Sequence, residues 1–429
     1  MSISVIGAGL AGCEAAYAIA ERGITVDLYE MKPQEYSPAH KSPLFAELVC
    51  SNSLKAARLD SAAGLLKAEM KALGSLCVMS AEKCAVPAGG ALAVDRDIFS
   101  KLITEKIKNH PNIVLHYGRV EKIPKGTTVI ATGPLTDGKL AENIKKLCGG
   151  EYLNFYDAAA PIVSAESIDF DRAFSASRYD KGEADYVNCP FNKEEYEAFH
   201  AALVSAETAP LHDFDTPFKV YEGCMPIEVL AKRGADAIRF GPLKPVGLRD
   251  PKTGHRPWAV VQLRRENREG TMYNIVGFQT NLKFGEQKRV FSMIPGLENA
   301  EFLRYGVMHR NSFLNSPGLL DSDFSLKKDS CVFFAGQMTG VEGYMESAAS
   351  GIIAGINAAA YENKSEEFVP PEYTMIGALC RHVSDSAATD FQPMGANFGI
   401  LPPLDEKIRD KRERYAALAE RAMKFYNRG

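Results

Sequence analysis

Three glycines and one glutamate near the amino terminus have the types and the spacing that suit a dinucleotide. Gly7, Gly9 and Gly12 form the pattern G-x-G-x-x-G. The first glycine of this pattern permits a tight turn, the second lets the backbone approach a pyrophosphate, and the third lets a helix pack closely on a strand. Glu30 follows Gly12 by eighteen residues, where a carboxylate can accept hydrogen bonds from a ribose diol. These four residues therefore predict a dinucleotide site.

The elements around these residues are the ones that such a site needs. The sequence predicts a short strand at 3–6, a helix of small residues at 11–22 and a second strand at 25–29. A helix that begins directly after the glycines presents free N–H groups and the positive end of its dipole to phosphates. A signal peptide is the alternative for the same apolar residues. It is disfavoured because no Lys or Arg precedes Arg22, so the charged region that such peptides carry is missing.

A second unit of the same kind lies near the carboxyl terminus. An apolar run at 331–334 predicts a buried strand, a glycine-rich loop follows at 338–344, and small residues at 346–361 predict a helix. This arrangement suits the ribityl and isoalloxazine end of a flavin. A turn of small residues at 131–133 lets the backbone pass close to the same cofactor. The predicted cofactor contacts are Gly7, Ala8, Gly9, Leu10, Ala11, Gly12, Glu30, Lys32, Gly133, Gly336, Gln337 and Glu346.

Units of this kind at both ends of a chain are typical of a two-part FAD domain, whereas a Rossmann domain for NAD alone does not need the distal unit. Between them, at 157–279, the alternation of strands and helices gives way to Pro, Gly, aromatic residues and short strand-like runs. The predicted fold is α/β, with a two-part FAD-binding Rossmann-like domain of the glutathione-reductase type and an inserted, strand-rich α+β domain. The predicted boundaries are 1–156 and 305–429 for the FAD domain and 157–304 for the insertion.

The composition disfavours several other classes of protein. The chain has 429 residues, which favours two domains, and a net charge of −4, so any nucleic-acid binding must come from a local patch. No run of about eighteen apolar residues predicts a membrane span. The nine cysteines include no C-x-x-C pair, so no zinc ribbon is expected, and no metal site is predicted. Without a secretion signal, these cysteines predict reduced thiols and a cytoplasmic protein.

One tract of the chain is basic although the whole chain is acidic. Residues 232–268 contain ten Lys or Arg and three acidic residues. Such a local excess would create a positive face suited to phosphates. A solvated surface with scattered charges is the alternative that composition alone leaves open.

Seven motifs, in order along nearly the whole chain, match a known family. They are GAGLAGCEAAYAIAERG (7–23), SPAH (37–40), FAELVCSNSL (45–54), VPAGGALAVDR (86–96), YEGCMPIE (221–228), RYGVMHRN (304–311) and FFAGQMTGVEGYMESAASG (333–351). With them the sequence resembles the TrmFO family of folate- and FAD-dependent tRNA uracil-5-methyltransferases. The motif around Cys50 is far more specific than the glycine pattern.

The resemblance implies a reaction and its partners. In this family 5,10-methylenetetrahydrofolate donates a one-carbon unit, FAD carries it and supplies electrons, and NADPH or NADH re-reduces the flavin. The implied product is 5-methyluridine at position 54 in the T loop of tRNA. The same chemistry on rRNA, a small-molecule FAD/NAD(P)H oxidoreductase and an RNA-binding flavoprotein with a structural FAD are the alternatives. Neither DNA nor a membrane is an expected partner, and the oligomeric state is left open.

Two cysteines lie inside the motifs that match the family, namely Cys224 and Cys50, and the resemblance makes them the candidate catalytic residues. Uracil C5 is a poor nucleophile, but a thiolate added at C6 makes it part of an enolate that can attack an electrophilic carbon. A second group must then remove the C5 proton. The resemblance implies that Cys224 is the C6 nucleophile and Cys50 the C5 base or a flavin-side partner, and the two roles could be exchanged.

The resemblance also implies contacts to folate and RNA. His309 and Arg310 are candidates for binding the pterin or the RNA. A uracil inside a folded RNA must be extruded before it can reach thiols and flavin. The basic tract would then hold the phosphates, with Arg264 and Arg265 as its predicted RNA contacts.

Overall fold

The computed structural model describes residues 2–149, 153–158, 160–180, 183–209, 225–267, 269–388 and 391–427. The strands in these ranges are β1 Ser2–Ile6, β2 Thr25–Glu30, β3 Ser53–Ala56, β4 Ala85–Val86, β5 Ala91–Val94, β6 Ile113–Tyr117, β7 Thr128–Ile130, β8 Leu153–Ala158, β9 Ile162–Ser164, β10 Phe174–Ser175, β11 Tyr186–Phe191, β12 Ala259–Arg265, β13 Met272–Ile275, β14 Phe302–Arg304, β15 Met308–Phe313, β16 Ser325–Leu326 and β17 Asp329–Phe334. The α-helices are α1 Leu10–Ala20, α2 Ala62–Ala72, α3 Leu76–Lys83, α4 Arg96–Lys108, α5 Gly138–Cys148, α6 Lys193–Ser205, α7 Ile227–Ala231, α8 Ala237–Phe240, α9 Phe284–Phe291, α10 Tyr344–Asn363, α11 Met375–Ser384 and α12 Lys411–Tyr426.

One six-stranded sheet combines strands from the two ends of the chain. Its order is β16-β17-β7-β1-β2-β6, and every neighbouring pair is parallel except the β16–β17 hairpin. The distal strand β17 pairs directly with β7, with Phe333 opposite Val129. The predicted α/β fold class, with a Rossmann-like sheet assembled from two parts of the chain, is confirmed.

A second six-stranded sheet is antiparallel and comes from the middle of the chain. Its order is β10-β11-β12-β13-β9-β14. Its apolar core includes Phe191, Phe199, Phe278 and Phe291, which are contributed by strand, helix and loop positions. Two smaller antiparallel sheets, β3-β5-β4 and β15-β8, complete the described strands.

Helices α1 and α10 pack against each other so closely that the contact requires glycine. A Cβ atom added to Gly351 would lie 2.2 Å from the carbonyl oxygen of Ala11, and one added to Gly355 would lie 2.6 Å from that of Ala15. Every residue of α1 is buried. Because each helix starts directly after a glycine loop, this packing brings both amino termini to the same edge of the parallel sheet.

Two segments outside the glycine loops have identifiable local anchors. Helix α4 is capped by Asp95, whose carboxylate accepts hydrogen bonds from the N–H groups of Asp97 and Ile98. The segment 31–52 contains neither helix nor strand, and it is anchored by the buried side chains of Phe45 and Leu48. Within the described ranges, no helix is both long enough and apolar enough to span a lipid bilayer.

Candidate active site

A cavity of about 500 Å³ lies where the carboxyl ends of the parallel strands meet the amino termini of α1 and α10. A volume of this size is typical of a pocket for a small molecule or cofactor. Ten of the twelve predicted cofactor contacts line it, namely Gly7, Gly9, Leu10, Ala11, Glu30, Lys32, Gly133, Gly336, Gln337 and Glu346. The two glycine-rich units therefore form one site, although they are more than three hundred residues apart.

The other two predicted contacts, Ala8 and Gly12, do not line the cavity but shape its glycine loop. The N–H of Ala8 donates a hydrogen bond of 2.8 Å to Oε2 of Glu30. A Cβ atom on Gly12 would lie 1.7 Å from the carbonyl oxygen of Gly7, so only glycine lets α1 start against β1. A Cβ atom on Gly9 would meet no atom within 4 Å, so this position faces open space, as a backbone that approaches a pyrophosphate must.

Glu30 and Lys32 connect the glycine loop to the segment 31–52. The Glu30 carboxylate is buried and accepts a second hydrogen bond, of 2.9 Å, from the N–H of Lys32. The Lys32 ammonium donates to the carbonyl oxygen of Leu44 and lies 3.8 Å from Oε2 of Glu47. The carboxylate predicted to bind a ribose is thus held in place at the cavity wall.

Glu346, in the first turn of α10, has a carboxylate oxygen that needs a partner. Its Oε1 accepts hydrogen bonds from Nζ of Lys55 at 2.8 Å and from the N–H of Ala396 at 3.0 Å. Its Oε2 is buried and has no hydrogen-bond partner among the described residues. Because buried polar atoms are normally hydrogen-bonded, we expect a ligand in this cavity to donate a hydrogen bond to Glu346 Oε2. The donor set fits FAD, because the two helix termini face phosphates, Glu30 faces a ribose, and Glu346 Oε2 can accept from a hydroxyl or a ring N–H.

Cys50 lines the same cavity, on a loop that is held through its backbone. The N–H groups of Cys50 and Ser51 donate hydrogen bonds of 2.6 and 3.2 Å to the hydroxyl oxygen of Tyr344, the first residue of α10. Burial, followed by the charge of a Cys50 thiolate, raises the pKa of Tyr344 well above its ordinary value, so this hydroxyl stays neutral. The carbonyl oxygen of Val49 accepts a hydrogen bond from the guanidinium of Arg304.

A buried ion pair supports this loop from behind. Arg96 donates two hydrogen bonds to the Glu266 carboxylate, of 2.6 and 3.2 Å, and a third of 2.8 Å to the carbonyl oxygen of Leu48. Burial acts to lower the pKa of Arg96, but the Glu266 carboxylate and, less strongly, Tyr344 and Cys50 raise it above its usual value.

The same groups shift the pKa of Arg304, the second guanidinium at this loop. Burial and the nearby Arg96 lower the pKa of Arg304, while a charge on Cys50 acts to raise it. Both pKa shifts include an interaction with Cys50, so the two guanidinium groups give this cysteine an electropositive setting. A thiolate is the reactive form of cysteine, and a partly exposed, electropositive setting favours it.

The prediction that Arg264 belongs to an exposed basic face is wrong. Its side chain is only 6% exposed. The guanidinium donates hydrogen bonds to Oδ1 of Asn52 at 3.0 Å and to Oγ of Ser51 at 2.8 Å. The carbonyl oxygen of Arg265 accepts a 2.8 Å bond from the Asn52 amide, and the Arg265 side chain is half-buried. Arg264 lies on the face of β12 opposite the core residues Val261 and Leu263, and this face meets the Cys50 loop through the bonds to Ser51 and Asn52.

Comparison with known proteins identifies the family. The family model described as "Glucose inhibited division protein A" matches residues 2–366. A protein of Halalkalibacterium halodurans named "Methylenetetrahydrofolate--tRNA-(uracil-5-)-methyltransferase TrmFO" is 58% identical over 98% of this chain and 97% of its own. The protein of the same name from Acetivibrio thermocellus is 60% identical over 99% of this chain and 97% of its own. The chain belongs to the TrmFO family.

A solved structure shows the same fold at much lower identity. Aquifex aeolicus GidA, in its form II crystal, superposes with a TM-score of 0.70 at 17% identity, covering all of this chain and 73% of that one. The form I crystal of the same protein gives a TM-score of 0.71. At this identity the likeness supports the fold alone.

For three residues predicted from the TrmFO resemblance, the structure does not describe the side chain. Cys224 falls in the undescribed stretch 210–224. His309 and Arg310 belong to β15, but their side chains are not described. The convergence of Cys224 with Cys50, and the folate or RNA contacts of His309 and Arg310, remain predictions. Among the residues that the structure does describe, no three His, Cys, Asp or Glu side chains are grouped as metal ligands would be.

Sequence reasoning missed the residues that hold the Cys50 loop. Arg96, Arg304 and Tyr344 each lie inside a TrmFO motif, so their membership of those motifs was a usable signal. Glu266 lies in no such motif, and its role follows only from its ion pair with Arg96.

Proposed function

We propose that this chain transfers a one-carbon unit from 5,10-methylenetetrahydrofolate to C5 of a uridine in tRNA, giving 5-methyluridine at position 54 of the T loop. One observation carries the proposal: Cys50, beside two guanidinium groups, lines the same cavity as the residues suited to a flavin dinucleotide. The names of the relatives, which are 58–60% identical over nearly the whole chain, agree with it.

The residues that would hold FAD are those that line the cavity. Gly9, Leu10 and Ala11 would face the pyrophosphate, Glu30 the ribose, and Glu346 the distal part of the flavin. When bound, FAD supplies the carrier and redox chemistry that turns a methylene group into a methyl group, with NADPH or NADH as the electron source.

The two cysteines would divide the work on the uracil ring. In this assignment the thiolate of Cys224 would add to C6, and C5 would then bond to the one-carbon unit. Cys50 would take the C5 proton as the bond between that unit and its carrier breaks, and a hydride that completes the methyl group would expel the Cys224 thiolate from C6. The exchanged assignment of the two thiols is the alternative.

The domain boundaries 1–156, 157–304 and 305–429 are part of the proposal. One apolar core is built from buried residues between 3 and 131 together with residues between 324 and 422, and a separate one lies wholly between 163 and 300. A tRNA substrate supports a cytoplasmic location.

The RNA would contact the inserted domain through exposed cations of the basic tract. Six Lys and Arg side chains of the tract are exposed, namely Lys232, Arg233, Lys244, Arg249, Lys252 and Arg256. Arg249 and Arg256 flank a turn in which the N–H of Asp250 donates a 3.0 Å bond to the carbonyl oxygen of His255. Arg268 lies outside the described residues.

Replacing Arg249 and Arg256 together with alanine is expected to weaken tRNA binding and flatten its salt dependence. Each lost phosphate contact should reduce the slope of log K against log salt by about 1, without changing FAD content. Filter binding between 50 and 200 mM salt measures the slope, and Lys139→Ala, which removes an exposed lysine paired with Glu121, is the control. If the slope of log K against log salt is unchanged in the double variant, this turn does not contact the RNA phosphates.

The proposed reaction is tested with purified protein, unmodified tRNA transcript, methylenetetrahydrofolate and NADPH, followed by nucleoside analysis. The expected result is one 5-methyluridine per tRNA, mapped to the T loop. Methyl groups drawn from S-adenosylmethionine, or methylation of rRNA fragments but not of tRNA, would contradict the assignment. NADPH oxidation with no modified nucleoside would favour a small-molecule oxidoreductase.

A further inference from the structure

Three aromatic rings form a continuous stack at one edge of the antiparallel sheet. The ring centroids of Phe302 and Tyr305 are 5.3 Å apart with an interplanar angle of 8°, and those of Tyr305 and Phe284 are 4.9 Å apart at 17°. We call these three residues the ring stack. Its inner member, Phe302, packs against the apolar core of the antiparallel sheet. Its outer member, Phe284, is 55% exposed.

The ring stack is held rigidly by its surroundings. The side-chain amide of Gln287 donates a 2.8 Å hydrogen bond to the carbonyl oxygen of Gly306 and accepts one of 2.8 Å from the Gly306 N–H. This two-way bond fixes the backbone directly after Tyr305. Phe284 is the first residue of α9, the helix that also carries Gln287. A platform that is ordered before its partner arrives loses little conformational entropy on binding.

The ring stack adjoins the Cys50 loop. Arg304, the residue before Tyr305, donates to the carbonyl oxygen of Val49, the residue before Cys50. On the other side, Phe284 follows the cavity residue Gln279 by five positions, a span of at most about 18 Å of chain. The ring stack is therefore connected to the cavity wall on two sides, through Arg304 to the Cys50 loop and through five residues of chain to Gln279.

The charges next to Phe284 are largely neutralised. Lys283 pairs with Glu207 at 2.6 Å, and Arg289 pairs with Glu286 at 2.6 Å. A cation that already pairs with a carboxylate attracts a phosphate less strongly. The uncharged face of a phenyl ring, by contrast, can stack on the face of a nucleobase. The local chemistry thus favours a base over a phosphate at this position.

We propose that the outer face of Phe284 stacks on a base that neighbours the extruded uridine. This inference rests on the proposed function and adds a specific RNA contact to it. Extruding a uridine deprives the adjacent bases of a stacking partner, and an exposed ring beside the entrance replaces it.

The test compares Phe284→Ala and Phe284→Trp with the wild type, using full-length protein with bound FAD and an unmodified tRNA transcript. Phe284→Ala should raise KM for tRNA about 10-fold to 100-fold, while Phe284→Trp should stay near the wild-type value. FAD content and NADPH-dependent flavin reduction without RNA should be unchanged in both variants. Phe170→Ala, which removes another ring that is 50% exposed, is the matched control and should leave KM unchanged.

A fluorescent base analogue distinguishes stacking from an indirect effect. With 2-aminopurine next to the target uridine, binding to the wild type should quench its fluorescence, and Phe284→Ala should abolish the quenching. An unchanged KM in Phe284→Ala, an equal loss in Phe170→Ala, or a change of oligomeric state in Phe284→Ala would overturn the stacking site. If no form of the protein methylates tRNA, the proposed function fails instead, so the two failures are distinguishable.

Discussion

Replacement of Cys50 with alanine is expected to abolish methyl transfer while FAD content stays unchanged. The Cys50 loop is held by backbone hydrogen bonds to Tyr344 and Arg304, so removing the thiol leaves the loop in place. Loss of a positioned proton-transfer group costs about 10²-fold to 10⁴-fold in rate. Quantifying 5-methyluridine in a transcript after a fixed incubation measures the loss, and the absorbance of bound flavin reports on the fold.

Cys331 is the matched control for this experiment. It is also half-buried, but its Sγ lies 3.0 Å from Oδ1 of Asp329, and burial together with this carboxylate raises its pKa to about 11. Cys331→Ala should therefore retain activity, and at pH 7 iodoacetamide should label Cys50 far faster than Cys331. A Cys50→Ala protein with full activity would refute the catalytic assignment. Cys224→Ala is expected to be inactive as well and to form no covalent adduct with RNA.

Breaking the buried pair of Arg96 and Glu266 is expected to have the largest effect on stability. Either Arg96→Met or Glu266→Gln leaves one charge or polar group buried without its partner, which typically costs about 3–5 kcal/mol. Arg96→Met also removes the hydrogen bond to the carbonyl oxygen of Leu48, so the Cys50 loop should loosen as well. The free energy of unfolding from urea denaturation measures the change.

The double variant Arg96→Met with Glu266→Gln measures how far the two single effects depend on each other. Because both charges are then absent, its destabilisation should be smaller than the sum of the two single effects. The exposed pair of Lys139 and Glu121, 2.8 Å apart, is the control, and Lys139→Met should leave the free energy of unfolding almost unchanged. Equal costs for the buried and the exposed pair would show that burial does not govern the Arg96–Glu266 interaction.

Local signals in the sequence were enough for the dinucleotide site. The glycines of the first loop, the small residues of α1 and the position of Glu30 at the end of β2 interact over a few residues or within one strand–helix–strand unit. Such short-range geometry follows from turn, helix and strand preferences, so spacing alone could predict it.

The environment of Cys50 depended on contacts between distant parts of the chain. Arg264 shows why spacing could not predict it. As one of ten cations in a basic tract it looked like a surface residue, yet its guanidinium bonds to Ser51, more than two hundred residues away. Whether a charge faces water or a neighbouring loop is decided by how sheets and loops pack, and sequence spacing does not encode that packing.

The sequence by itself therefore determined the cofactor-binding units, the TrmFO resemblance and the identity of the candidate thiols. Only the tertiary structure decided that Arg96, Arg304 and Tyr344 meet at the Cys50 loop and that Arg264 is buried beside it. The physical reason is that these contacts are made between elements that are far apart in the chain and come together only when the parallel and antiparallel sheets pack around residues 48–52.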